Sequence, residues 1–245
     1  AKKFLGTVFF HGASNDQELT TIYAQADIFA LTSQPQPKSI EGFGTKTRMA
    51  YSKFIKLKQE IYNDILSKTE KVMNRLNIPF FLSSGTLLGY YREGKILDHD
   101  YDLDVGIFKK DYTLRLIDEM EKEGFYNYRN LGDVERGFEM SFYLPKSKIG
   151  KYAKIDIFVH NNEQIGFKKY MYWASYRKPD YVKRIKYRVS AFNIKPIKFN
   201  GVRVGIPSDT ELYLREHYGS DWKTPKKPGK GGYYYATSPK SIVEE

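Results

Sequence analysis

The sequence contains no cysteine among its 245 residues. A chain without thiols can form neither a disulfide framework nor a zinc site built on thiolate ligands. The sequence also lacks an apolar run as long as a membrane-spanning helix requires, and its N-terminus has no apolar signal-peptide region. From these absences we expect a soluble, cytoplasmic protein, and association with the inner face of a membrane stays open.

Acidic residues are few relative to basic ones, 29 against 40, which gives a formal net charge of +11. Basic residues concentrate in two runs, 176–188 and 223–230. Such runs are commonly solvated faces. If they bind a partner, it must be anionic: a phosphorylated donor, an acidic glycan, an anionic membrane surface or a nucleic acid. No nucleic-acid-binding motif accompanies the charge, so we expect no nucleic-acid partner.

Hydrophobic residues make up 41% of the chain and aromatic residues 16%, a composition typical of a folded protein. Apolar residues at steps of three, four and seven predict a long helix from about Lys46 to Leu76, ended by Asn77 and Pro79. Ser208 and Glu211 form a capping box for a later helix that ends before Gly219. Strand patterns lie at 5–12, 27–33, 79–85, 101–108, 125–131, 137–144 and 153–160, the last two as a hairpin.

The feature that points to chemistry is a run of aspartates, Asp98, Asp100, Asp102 and Asp104, at every second position of one segment. On a strand, the last three share one face roughly 6.5 Å apart, and each like-charge pair costs about 2 to 3 kcal/mol. A bound divalent cation or a protonated carboxyl would relieve that repulsion. The sequence therefore favours a metal site here.

A further carboxylate, Asp156, lies between two isoleucines and joins the aspartate run if the two strands are neighbours. The arrangement then suits metal-assisted phosphoryl chemistry. The alternative is a row of solvent-facing aspartates at a sheet edge. An EF-hand is excluded, because the glycine required at its sixth position is Leu103 or Val105 here.

Just upstream, Ser84, Gly85 and Thr86 lie between a strand and a helix, where free backbone N–H groups bind phosphate. Arg92, about two turns later, could reach the same anion. The Gly-Thr pair alone could be an ordinary turn. Followed by the aspartate strand and a third carboxylate, it matches the nucleotidyltransferase layout of the DNA polymerase β type. We therefore expect an α+β fold with a mixed sheet, flanking helices and an N-terminal strand–helix–strand appendage.

The segment IPFFLSSGTLLGYYREGKILDHDYDLDVGIF resembles the LicD/fukutin family, and the resemblance continues through GFEMSFYL, KIDIFVH and VGIPSDTELYLREHYGSDWKTP. It covers roughly residues 50–245. The resemblance implies a nucleotidyltransferase-like fold and Mg²⁺- or Mn²⁺-dependent transfer of a phosphorylated group. Members move phosphocholine, ribitol phosphate or related groups such as glycerol phosphate from a CDP-activated donor to a glycan hydroxyl, with release of CMP.

Asp100, Asp102, Asp104 and Asp156 match the aspartates of this family, and Gly85, Thr86 and Arg92 match its G-T-L-L-G-x-x-R segment. The mechanism we expect then gives individual residues these roles. Metal would be held by Asp102, Asp104 and Asp156, and Asp100 completes the catalytic set. Donor phosphates would be bound by Ser84, Gly85, Thr86 and Arg92. Asp156 or Asp100 would accept the proton of the attacking hydroxyl, and Glu139 and His99 are possible additions to the site.

The chain departs from the family pattern in two places. Asp98-His99 stands where relatives often have Pro-Trp, so Asp98 is not assigned as a ligand and a base role for His99 stays open. Some animal relatives carry a cysteine-bound zinc, which this chain cannot have. His11, His160 and His217 have no partner pattern and are interpreted as structural.

Residues 1–49 resemble a fragment of a GT-B glycosyltransferase, with Glu41 in the E-G-F-G segment that lies at the donor in that family. One strand–helix–strand unit cannot build two Rossmann-like halves. We interpret residues 1–49 as the end of a preceding transferase in a larger polypeptide, or as a structural appendage, and residues 50–245 as the phosphotransferase domain. The expected context is synthesis of a bacterial capsule or another cell-surface polymer, such as one like teichoic acid.

Two other functions stay open at this point. A metal-dependent glycosyltransferase would also use a D-x-D segment with a nucleotide-sugar donor, but it would release a nucleoside diphosphate and would not need Asp156. A non-catalytic glycan-binding domain would use the aspartates only to organise the fold. The complete set of aspartates and the intact Gly-Thr turn argue against that last reading.

Overall fold

The computed structural model describes residues 45–98, 100, 102–145, 147, 153–176, 181–225 and 242–244, with side chains from Ser52 to Pro225. The strand–helix–strand pattern predicted at the N-terminus, including His11 and Glu41, lies outside the described residues, as does His99. The chain divides into two compact units, residues 1–57 and 58–245. The interpretation of residues 1–49 as a transferase fragment stays a prediction.

The long predicted helix is confirmed as α1, Thr45–Leu76, and it ends where Asn77 adopts a left-handed φ of 55° ahead of Pro79. The part of α1 that belongs to the second unit buries a stripe of side chains that includes Tyr62, Ile65 and Val72. None of the helices in the described ranges is long and apolar enough to cross a membrane.

The other elements follow in chain order. The helices are α2 (Ser84–Glu93), α3 (Arg115–Lys122) and α4 (Thr210–Tyr218), with a 3₁₀ turn at Lys109–Asp111. The strands are β1 (Phe80–Leu82), β2 (Leu103–Phe108), β3 (Tyr126–Asp133), β4 (Gly137–Tyr143), β5 (Lys154–Ile165), β6 (Lys168–Tyr176), β7 (Arg184–Ser190), β8 (Ile194–Phe199), β9 (Val202–Pro207) and β10 (Ile242–Glu244).

The strands form one mixed sheet in the order β10-β7-β6-β5-β2-β1-β9-β8, and β4 pairs with both β3 and β5. β2 runs parallel to β5, whereas β1 and β2 are antiparallel. The antiparallel pairing of β4 with β5 confirms the predicted hairpin. The predicted α+β class, a mixed sheet with flanking helices, is therefore confirmed.

Strand β5 changes neighbours along its length. Residues up to His160 pair with β2, and residues from Asn161 onward pair with β6. At the change, His160 packs in a buried aromatic cluster with Trp173, 4.8 Å between ring centroids, and His217 contacts the same indole at 5.0 Å. Burial lowers the pKa of each of these histidines to about 3. Both are neutral core residues, as their lack of a partner pattern predicted.

Two local predictions were wrong. The aspartate strand begins at Leu103, so Asp100 and Asp102 precede it in a turn in which Asp100 N–H donates to Leu97 O at 3.0 Å. The last helix is capped by Asp209, whose Oδ1 accepts from Leu212 N–H at 3.0 Å. Ser208 was the predicted cap, but its Oγ accepts from Asn193 N–H instead, because Ser208 continues the pairing of β8 with β9.

Candidate active site

The parallel pairing of β2 with β5 brings the two predicted carboxylate segments together. Asp104 and Asp156 are directly opposite each other in the register. Leu103 and Val105, the neighbours of Asp104, are fully buried and fix the strand in the core. The condition under which Asp156 joins the aspartate run, that the two strands are neighbours, is therefore met.

Asp100, Asp102 and Asp104 form a compact group of partly buried carboxylates. One oxygen from each lies within 4.8 Å of the others, a spacing that allows all three to share one cation. They converge because the turn before β2 folds Asp100 and Asp102 back toward Asp104, rather than through strand alternation. Asp156 is next to this group but outside it, which differs from the predicted ligand set of Asp102, Asp104 and Asp156.

The start of helix α2 holds Asp104 in place. Gly85 N–H donates to Asp104 Oδ2 at 3.1 Å, and Asp104 N–H donates to Thr86 Oγ1 at 2.7 Å. Ser83 N–H donates to Asp104 O at 3.0 Å. The Gly-Thr segment that was predicted to bind donor phosphate thus positions a carboxylate, and its phosphate role stays a prediction.

Gly85 also sets how closely the helix approaches the carboxylates. A Cβ at this position would lie 2.5 Å from Asp100 Oδ2 and 3.4 Å from Asp104 Oδ2. Ser84 precedes it with a left-handed φ of 43°, so the chain turns sharply into the helix. A side chain at this position would force the Asp100 carboxylate to move from its place beside the helix N-terminus.

The carboxylates of the site are buried close together, and this raises the pKa of two of them. Burial, together with the charges of Asp102, Asp100 and Asp156, raises the pKa of Asp104 well above its usual range. Burial, followed by Asp102 and Glu139, raises the pKa of Asp156 to about 8. A cation bound among these oxygens would reverse that penalty.

A buried lysine that sequence reasoning missed supports the aspartate turn. Lys58 of α1 is 2% exposed, and its ammonium donates to Leu97 O at 3.1 Å and to Asp98 O at 2.9 Å. Burial lowers its pKa to about 8, against the opposing attraction of Asp100, Asp98 and Asp102. A signal was present, because Lys58 interrupts the apolar stripe four residues before Tyr62.

Asp98 has a different role from the other aspartates. Its carboxylate pairs with Lys95 at 2.7 Å, and it is not among the three aspartates whose oxygens lie within 4.8 Å of one another. This agrees with its exclusion as a ligand in the sequence analysis.

An arginine that sequence reasoning also missed lies beside Asp156. Arg129 of β3 donates to Glu139 Oε1 at 2.5 Å and to Ser141 Oγ at 2.9 Å, and its guanidinium is 3.8 Å from Asp156 Oδ2. The guanidinium carbon of Arg129 lies 5.1 Å from the centroid of the Tyr181 ring, and this contact fixes the plane of the guanidinium group. No sequence pattern distinguishes this arginine, because β3 meets β5 only through β4.

Glu139 was predicted as a possible addition, with a surface strand residue as the alternative. It is 4% exposed and reaches the site through Arg129. Burial raises the pKa of Glu139, and the charge of Arg129 opposes that shift. Glu139 is therefore a buried partner of the site arginine.

Arg92 is bound to residues at the far end of α2, and its predicted role in binding donor phosphate stays a prediction. Its guanidinium donates to Glu93 Oε1 at 2.7 Å and to Trp222 O at 3.4 Å, at the far end of α2. Seven residues separate it from Gly85, about 10 Å along the helix axis. The arginine that the structure places beside the carboxylates is Arg129.

The residues present fit a divalent cation. Carboxylate oxygens are the ligands that Mg²⁺ and Mn²⁺ prefer, and three lie within reach of one ion. Asp156 Oδ1 is buried without a hydrogen-bond partner in the described part of the chain, so a further oxygen is available next to the group. The pKa values of Asp104 and Asp156 are raised by burial and by repulsion among the carboxylates, and a bound cation would relieve that repulsion.

An α+β fold that presents clustered carboxylates against a helix N-terminus is typical of proteins that act on phosphate groups with a divalent cation. The sequence model described as "LicD/FKTN/FKRP, nucleotidyltransferase domain" matches residues 77–209, more than half of the chain. The chain belongs to the LicD/FKTN/FKRP family. The matched segment contains β1, α2, the aspartate group and the strand that carries Asp156.

Comparison with curated proteins gives the same result. The chain is 33% identical to the ribitol-5-phosphate transferase FKTN of Homo sapiens over 164 residues, 67% of this chain and 33% of that protein. The same values hold for the protein of Macaca fascicularis. An uncharacterised protein of Rickettsia prowazekii is 26% identical over 156 residues, 63% of this chain and 52% of that protein. The chain spans about a third of the length of the ribitol-5-phosphate transferases it matches.

Proposed function

We propose that residues 50–245 are the phosphotransferase domain of a larger polypeptide, with a nucleotidyltransferase-like fold. In this proposal the domain moves a polyol phosphate such as ribitol or glycerol phosphate, or phosphocholine, from a CDP-activated donor to a glycan hydroxyl and releases CMP. The observation that carries the proposal is the group of Asp100, Asp102 and Asp104, with oxygens within 4.8 Å. It occurs in a chain 33% identical to a ribitol-5-phosphate transferase.

The cofactor we propose is Mg²⁺ or Mn²⁺, held by Asp100, Asp102 and Asp104 with Asp156 as the adjacent fourth carboxylate. When bound, it neutralises the charge on the donor diphosphate. Gly85 and Thr86 keep Asp104 in the geometry that this requires, through the hydrogen bonds of its side chain and main chain.

The remaining residues act on the acceptor and the donor phosphates. Asp156 or Asp100 accepts the proton of the attacking sugar hydroxyl, and the new bond forms between that oxygen and the phosphorus of the transferred group while the bond from this phosphorus to the bridging oxygen breaks and CMP leaves. Arg129 orients Asp156 and adds positive charge at the edge of the site. The α2 N-terminus, with Ser84 and Gly85, faces the donor phosphates.

The biological setting is part of the proposal as well. A glycan acceptor and a sugar-phosphate product place the reaction in synthesis of a cell-surface polysaccharide, such as a capsule or a polymer like teichoic acid. We propose that the chain works in the cytoplasm at the inner face of the membrane, where such polymers are assembled. Nucleic acid has no part in this reaction.

Identification of the leaving group tests the proposal. The protein is incubated with Mg²⁺ or Mn²⁺ and CDP-ribitol, CDP-glycerol, CDP-choline or UDP-sugars, with and without glycan acceptors, and the nucleotides are separated. We expect metal-dependent CMP, lost in Asp102→Asn and Asp104→Asn. The matched control is Asp98→Asn, which removes a nearby carboxylate paired with Lys95 and should keep most of the activity.

Two outcomes would contradict the proposal. Release of a nucleoside diphosphate would indicate glycosyl transfer. An absence of turnover with every donor and acceptor, combined with metal-independent glycan binding, would indicate a binding domain.

A further inference from the structure

The turn between β5 and β6 exposes its largest side chain completely. Ile165 and Lys168 are paired in the register, so Gly166 and Phe167 form a two-residue turn, with Gly166 at φ 59°. Phe167 is 105% exposed and Ile165 is 47% exposed. A benzyl side chain at the end of a hairpin contributes nothing to the core, and together with Ile165 it forms an apolar tip whose burial against a partner would be favourable.

Behind the tip, the β6 side chains are basic and then aromatic, and they are paired across the hairpin with Gln164 and with Glu163, whose carboxylate is neutralised by Lys186 and Arg188. Lys168 and Lys169 are exposed, and the next residue is Tyr170. Arg188 of β7 lies over the Tyr170 ring at 5.2 Å. Rungs are about 3.3 Å apart, so the sequence from Phe167 to Tyr170 extends about 10 Å back from the tip. The tip is therefore apolar at its end, basic just behind it and aromatic behind that.

This order matches the layers of an anionic membrane surface. Apolar side chains enter the boundary of the acyl chains to a depth of about 5 to 10 Å, lysines reach the lipid phosphates, and tyrosines lie at the headgroup level. Anionic lipids attract juxtamembrane lysines, and the chain's net charge of +11 adds to that attraction. A protein groove would accommodate the phenyl ring but gives no reason for the paired lysines beside it.

We propose that the β5–β6 tip, residues 165–169, is a docking site for an anionic membrane surface. Phe167 and Ile165 enter the interface, and Lys168 and Lys169 bind lipid phosphates. The tip begins at the end of β5, and Asp156 is near the start of that strand. Docking therefore leaves Asp100, Asp102 and Asp104 accessible. This inference does not depend on the reaction proposed above.

Vesicle co-sedimentation of the full chain tests the inference. The probes are vesicles of phosphatidylcholine alone and of phosphatidylcholine with 30% phosphatidylglycerol. We expect binding to the second kind only, weakened about tenfold or more by Phe167→Ser. Lys168→Glu with Lys169→Glu should weaken it at least as much, and added salt should weaken wild-type binding.

Matched variants elsewhere serve as controls. Leu114→Ser removes an 83% exposed aliphatic side chain at the start of α3. Lys195→Glu with Lys198→Glu reverses two exposed lysines on β8, an edge strand of the sheet separated from β5 by β2, β1 and β9. Both controls should bind vesicles nearly as well as wild type. Turnover of a water-soluble donor and acceptor should be the same in every tip variant, which separates this inference from the proposed reaction.

A fluorescent variant gives an independent readout. Trp173 and Trp222 are buried, so Phe167→Trp places the responsive indole at the tip. Its emission should shift to the blue on addition of the anionic vesicles and be quenched by brominated lipid tails. Absence of vesicle binding, equal binding by tip and control variants, or an unshifted emission would each overturn the inference.

Discussion

At the scale of single residues, Gly85 is the most restricted position of the site. Its N–H holds Asp104 while its missing side chain leaves room for Asp100. The sequence predicts that this glycine binds phosphate, and the structure shows that its N–H group also binds Asp104. The same atom that could contact a phosphate already contacts a carboxylate.

Gly85→Ala should lower the activity of the protein without preventing it from folding. The added methyl group would lie 2.5 Å from Asp100 Oδ2, so the carboxylate must move. We expect at least a tenfold loss of turnover and weaker Mn²⁺ binding, measured by CMP release and by calorimetry. The control is Gly201→Ala, which has φ 88° and open space around it. That variant should lose about 1 kcal/mol of stability and keep its activity. Unchanged Mn²⁺ affinity in Gly85→Ala would contradict this role.

Arg129→Gln should destabilise the fold as well as the site. Removing the guanidinium leaves Glu139 and Asp156 buried without their cation, a loss of about 3 kcal/mol in the free energy of unfolding. Urea denaturation measures it. Arg136→Gln, on the same hairpin, breaks an exposed pair with Asp133 and should have little effect. Adding Glu139→Gln to Arg129→Gln should restore part of the stability, and a purely additive double variant would contradict the pairing.

At the scale of elements, the boundaries of helices and strands are where the sequence was least informative. Period-two spacing suggested that three aspartates share one strand face, yet Asp100 and Asp102 belong to a turn held by the Lys58 ammonium. Lys58 is distant in sequence and belongs to α1, so no local pattern could place it. Hydrophobic periodicity, in contrast, was sufficient for α1 and for the β4–β5 hairpin, because both depend on local spacing.

The cap of α4 gives an element-scale prediction. Asp209→Ala removes the acceptor for Leu212 N–H and should cost about 1 kcal/mol in the free energy of unfolding. Ser208→Ala should cost less, since Ser208 Oγ accepts from Asn193 N–H outside the helix. Urea denaturation of the two variants compares them directly. A larger loss in Ser208→Ala would restore the capping box inferred from the sequence.

At the scale of the whole molecule, the sheet brings together carboxylates that are distant in the chain. The motifs identified Asp100, Asp102, Asp104 and Asp156 without any coordinates, because carboxylates that dense within apolar segments need an explanation. The relation between Asp156 and Arg129 required the sheet order, since β4 lies between their strands. The site's acidic half was thus predictable from spacing, and its basic half was not.

The buried His160 predicts how stability depends on pH. Its pKa is about 3 in the folded protein, against about 6.5 in an unfolded chain, so the unfolded state binds more protons between those values. Stability from this residue is complete above pH 6.5 and is lost as the pH falls toward 3. Wild type should therefore lose about 2 kcal/mol more than His160→Gln between pH 7 and pH 5, in urea denaturation at each pH. Equal losses would mean that the imidazole protonates while folded.

The length of strand β5 limits how far the carboxylates can lie from the proposed docking tip. It carries Asp156 near its start and Ile165 at its end, nine residues that span at most about 30 Å. With the tip anchored on lipid, the strand acts as a rigid spacer between bilayer and carboxylates. If the tip docks as proposed, the acceptor hydroxyl must reach the carboxylates within that distance of the bilayer surface.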